Sequence, residues 1–143
     1  MTQLQAIRNF ASKVAGTHVT IARSRDDWAM DLSDLRHPRI FLPQDLNQYD
    51  TDDKLFRAFF VERCPLAQGF ANVTISILHE LGHWFNPIEY LISDVDEYNS
   101  ALGVDHFFLP CELIATDWAV EWLQDKAHRK MAKAFERIYF GHA

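Results

Sequence analysis

Cysteine is scarce in this chain. Cys64 and Cys111 are the only two in 143 residues, and they form no C-x-x-C pair. Two thiols cannot build a disulfide framework or a cysteine-rich zinc module, so both read as small buried side chains of a reduced compartment. Glycine and proline are sparse too, five of each, which excludes collagen-like and low-complexity chains, and no internal repeat is visible. Long apolar runs are missing: stretches such as Phe59-Phe60-Val61 are far short of the ~20 residues of a membrane-spanning helix. The N-terminus has no signal-peptide core. Cations are outnumbered, 14 Lys and Arg against 20 Asp and Glu, for a formal charge of −6. That balance disfavours general binding to nucleic acid or anionic membranes. A cytoplasmic single domain over residues 1–143, with no direct nucleic-acid or membrane partner, is expected.

What is present is a full core complement, 48% apolar residues, in a chain long enough to bury most of them. Leu4, Ile7, Phe10, Ala11 and Val14 recur at helical spacing, and Gly16 is the natural stop. Thr17 to Ala22 alternates like a strand, residues 28–32 offer a second, and Ile40-Phe41-Leu42, bounded by Pro38 and Pro43, a third. Those prolines suit an edge strand. Residues 44–53 read as a polar loop, and Thr51 or Asp52 can cap a helix ending before Pro65. A longer helix runs from Gln68 or Ala71 to Phe85. Pro110 suits the first turn of another, followed by a second or continuing helix from Ala127 to Phe140. The pattern predicts an α+β fold, mostly helical with a two- to three-stranded sheet.

Seven histidines are many for this length, and two are placed. In His79-Glu80-Leu81-Gly82-His83 the imidazoles stand one helical turn apart on one face, able to converge on one metal ion. Glu80 lies about 100° around the helix from His79, beside the ion, where a carboxylate can accept a proton from water. Ile75, Leu78, Leu81 and Phe85 form the stripe expected to bury this helix. Gly82 is a poor helix former at ~1 kcal/mol relative to Ala, which makes sense where something approaches closely.

A catalytic zinc takes a third protein ligand and keeps one position open. Asp94, Asp96, Glu97, His106, Glu112 and Asp117 are candidates. Glu112 stands out, because Ala115 and Ala119 share its helix face and let that face lie close to the metal helix. Cys111 points to another side. Thr116 or Asp117 could orient a ligating imidazole, and Tyr90, Tyr98 or His106 could stabilise an oxyanion.

His79-Glu80-Leu81-Gly82-His83, followed by Glu112-x-x-Ala115-x-x-Trp118-Ala119, resembles the ImmA/IrrE-type zinc metallopeptidases, zincins with a glutamate as third ligand. Ser76 matches the hydroxyl residue that the family tends to place three positions before the first histidine, and Ile40-Phe41-Leu42 could match its strand ahead of the metal helix. The likeness runs from Ser76 to Leu123 and is architectural before that. Leu78, in place of a small residue, and a long segment from Gln44 to Phe70 depart from the family pattern. The resemblance implies a zincin-like domain holding Zn²⁺ through His79, His83 and Glu112, with Glu80 as catalytic base. It also implies a bacterial, phage or mobile-element peptidase whose substrate is a protein or peptide, such as a helix-turn-helix repressor.

The alternative is a non-catalytic binding or regulatory module on the same scaffold, which would have no use for Glu80. The cations of the last helix, Lys126, Arg129, Lys130, Lys133 and Arg137, read as a solvated face favoured by the helix dipole.

Overall fold

The computed structural model describes residues 1–23, 27–46, 51–87 and 109–141. These form an α+β fold in the order α1 (Gln3–Ala15), β1 (Thr20–Arg23), β2 (Ala29–Asp31), β3 (Arg39–Leu42), α2 (Thr51–Arg63), a 3-10 turn (Pro65–Gly69), α3 (Asn72–Phe85), α4 (Pro110–Leu123) and α5 (Lys126–Tyr139). No described helix is long and apolar enough to cross a membrane.

Helix α1 begins with a reciprocal Thr2–Gln5 capping box and ends, at the predicted stop, on Gly16 in the left-handed region (φ 75°). It buries Ala6, Ile7, Phe10 and Ala11. Phe10 stacks on Phe135 of α5 at 4.5 Å and meets the edge of Trp122 of α4 at 6.0 Å. Ser12 Oγ accepts a hydrogen bond from Val19 N–H at 2.9 Å, tying the helix end to the first strand.

The sheet corrects one expectation. Its order is β1-β3-β2, with β1 parallel and β2 antiparallel to β3, so residues 39–42 form the central strand rather than an edge. Pro38 and Pro43 lie just outside the paired rungs, where no ladder N–H is needed. The Pro38 carbonyl even accepts from Thr20 N–H at 3.0 Å. Ile40 and Leu42 are fully buried.

Helix α3 is the centre of the molecule, buried at every residue from Val73 to His83. A helix buried around its whole circumference needs no single apolar stripe. Phe85, expected in that stripe, is instead 41% exposed and stacks on Trp118 of α4 at 4.7 Å. No side chain of its own caps α3. Glu136 of α5 takes that place, accepting from Ala71 N–H at 2.7 Å and Thr74 Oγ1 at 2.5 Å. Asp125 accepts from Ala127 and His128 N–H and so starts α5 as a separate helix. Cys64 and Cys111 are both buried.

Candidate metal centre

Helices α3 and α4 approach closely, and their contact point is Gly82. A Cβ there would stand 2.4 Å from the Ala115 carbonyl oxygen and 2.9 Å from its Cα. Only a hydrogen fits, so the two backbones touch. Ala115 and Ala119, both buried, complete the close face. This approach carries the first turn of α4 to the histidine face of α3.

There Glu112 Oε2 lies 2.6 Å from His79 Nε2 and 2.9 Å from His83 Nε2. The imidazole centroids are 4.8 Å apart, ring edge to face. Donor atoms of His79, Glu80 and His83 all fall within 4.8 Å of one another. The four residues are deeply buried, from 3% exposure at His83 to 7% at His79 and Glu80.

Thr116, one turn after Glu112, stands with Oγ1 3.1 Å from His79 Nδ1. In the tautomer that donates Nδ1–H to this hydroxyl, His79 turns a lone pair at Nε2 toward the carboxylate. Lone pairs of two imidazoles and a carboxylate aimed at one buried point repel unless a cation lies between them. The donor set suits a borderline-soft divalent ion. Metal–ligand bonds of about 2.0–2.1 Å in a tetrahedron put ligand atoms roughly 3.4 Å apart, so side-chain shifts of about half an ångström to one ångström would seat one. The residues fit the group.

Burial pushes the Glu80 carboxyl above its usual range. His83 and His79 act against that shift, while Glu112 and Asp27 add to it. A carboxylate that binds a proton readily suits a base that must take one up and release it.

Of the other candidate ligands, Asp94, Asp96, Glu97 and His106 lie outside the described residues, as do Tyr90 and Tyr98. Asp117 is turned away, receiving a 2.5 Å hydrogen bond from Arg63. Ser76 and Leu78 are buried in α3. Among the other histidines, His37 pairs with exposed Asp34 and His128 stacks on Trp122. Phe56 of α2, whose ring lies 5.0 Å from His79, had no signal in the sequence beyond its place in an apolar helix.

No protein-family model, curated protein or solved structure matches the chain. The buried His79-Glu80-His83 cluster, with Glu112 against both imidazoles, is a zincin-like site compatible with a single divalent metal ion.

Proposed function

We propose that the chain is a zinc-dependent endopeptidase of the ImmA/IrrE kind. It would be a single domain acting in the cytoplasm of a bacterium, or on behalf of a phage or mobile element, on a partner protein such as a helix-turn-helix repressor. The observation that carries the reading is the meeting of His79 Nε2, His83 Nε2 and Glu112 Oε2 in a buried site, with the Glu80 carboxylate alongside. His79, His83 and Glu112 would hold the ion. When bound, zinc supplies Lewis acidity, drawing the pKa of water toward ~7 and polarising a carbonyl.

The chain's own groups do the rest. Glu80 accepts the proton of the attacking water on its carboxylate and passes it to the departing amine, so it finishes ionised. Thr116 keeps His79 in the ligating tautomer. A structural zinc takes four protein ligands; among the described residues the two imidazoles and Glu112 supply three, which would leave a position for chemistry. With β3 central, β2 is the edge strand that packs on α3 among the described residues. An extended substrate would add its main-chain hydrogen bonds there.

Two variants test the reading together. The purified protein is expected to hold one zinc per chain, and His79→Ala and His83→Ala to lose it. Glu80→Gln is expected to keep the zinc and to lose turnover by orders of magnitude. Unchanged zinc content in both histidine variants, or wild-type cleavage by Glu80→Gln, would overturn it.

A further inference from the structure

Helix α5 carries a feature that the metal centre does not use. Lys126, Arg129, Lys130, Lys133 and Arg137 fall within roughly 100° of its circumference and extend over about 16 Å of its length, at ~3.6 residues per turn and 1.5 Å per residue. With Phe70 they line a shallow groove of about 550 Å³ that has no carboxylate in its wall. Five of the 14 Lys and Arg of an acidic chain are gathered here, while the other nine are set against all 20 Asp and Glu.

The helix dipole does not account for this gathering. Only Arg137 is in the last turn, and Lys126 is the first helical residue, at the positive end, where a cation is disfavoured. Like charges three and four residues apart also repel. The one carboxylate within the helix, Glu136, caps α3 through Oε2, while its Oε1 lies 3.8 Å from Lys133 Nζ. Two of the cations have structural work. Arg129 donates to the Leu123 and Gln124 carbonyls at the end of α4, and Lys133 donates to the Gly69 carbonyl and lies over the Phe70 ring. Lys126, Lys130 and Arg137 are exposed and make no hydrogen bond or ion pair with the described residues.

We propose that this stripe is a docking surface for an acidic segment of a partner protein. Charge complementarity chooses the occupant. A linear run of carboxylates of similar length matches the stripe and ends where it ends. A nucleic acid would extend past it onto the acidic remainder of the surface. The proposal stands apart from the peptidase reading, because the stripe shares no residue with the metal centre.

The test measures fluorescence anisotropy of a labelled glutamate dodecapeptide and of an oligothymidylate of equal charge, at low and at physiological ionic strength. The wild-type protein and Glu80→Gln are expected to bind the peptide equally, more tightly than the oligonucleotide, and more weakly as salt rises. Lys126→Glu/Lys130→Glu/Arg137→Glu should weaken binding about tenfold or more, since three attractive pairs become repulsive. The corresponding triple Gln variant should fall between, and it carries the test if the Glu variant does not fold by circular dichroism. Peptide affinity unchanged in the folded variants, or no peptide binding at low salt, would overturn the proposal. Tighter binding of the oligonucleotide would overturn it in favour of a nucleic-acid surface.

Discussion

Thr116 sets a hydroxyl against a candidate metal-ligating imidazole without joining the donor set. Its Oγ1 lies 3.1 Å from His79 Nδ1, and Thr116 is itself 1% exposed, so in the ligating tautomer the hydroxyl accepts the Nδ1–H. Thr116→Val keeps the volume but leaves Nδ1–H facing a methyl group. The imidazole can then flip its tautomer or rotate, and either change blunts its Nε2 lone pair. Partners of this kind are worth about 10–100-fold in metal affinity. Thr116→Val is therefore expected to bind zinc more weakly by that factor in a chelator competition, with zinc still one per chain at saturation. Undiminished affinity would mean that the hydroxyl orients nothing. Glu112→Ala should be more severe, since it removes a donor, and its purified form is expected to carry little zinc.

At the scale of elements, the site depends on how closely α3 and α4 approach. On a free helix Gly→Ala stabilises by about 1 kcal/mol. At Gly82 the sign reverses, because the added Cβ would lie 2.4 Å from a backbone oxygen that no rotamer can move. Forced overpacking of this kind costs on the order of 1–3 kcal/mol. Gly82→Ala is expected to lower the urea midpoint and, by pushing α4 away, to weaken zinc binding through the retreat of Glu112. A more stable variant with normal zinc affinity would show that the helices part without consequence. The other end of α3 depends on α5, because Glu136 serves as its cap. The helix that carries the basic stripe thus also anchors the helix that carries the histidines.

For the whole molecule, the deep burial of the four site residues bears on selectivity. A site with so little open surface reaches a substrate only when a flexible, extended segment is delivered to it. On the peptidase reading, delivery would be the selective step, made by contacts elsewhere on the surface. We expect slow cleavage of unfolded casein-like proteins and efficient cleavage of one partner protein. The check is a parallel digest by the zinc-loaded protein and its Glu80→Gln variant. Rapid cleavage of every unfolded protein by the former alone would remove selectivity and leave the metal site intact. Cleavage of none, including the product of a neighbouring regulator gene, would favour a binding module.

Local chemistry was legible in the residues alone. Gly16, Pro110 and the i, i+4 histidines act through bonds and spacings within a turn of helix, so they hold whatever the chain packs against. The α+β class and the close face of Gly82, Ala115 and Ala119 were legible for the same reason, since small residues in register announce that something comes near. What only the tertiary structure decided lies between elements distant in sequence. It chose Thr116 over Asp117, because Arg63 of α2 holds Asp117 outward. It put β3 in the centre of the sheet, because pairing partners are a matter of topology and the flanking prolines constrain only the strand's ends. It turned Phe85 outward onto Trp118 and made Glu136 the cap of a helix more than sixty residues away. No periodicity records such contacts, for each depends on where two segments meet in space.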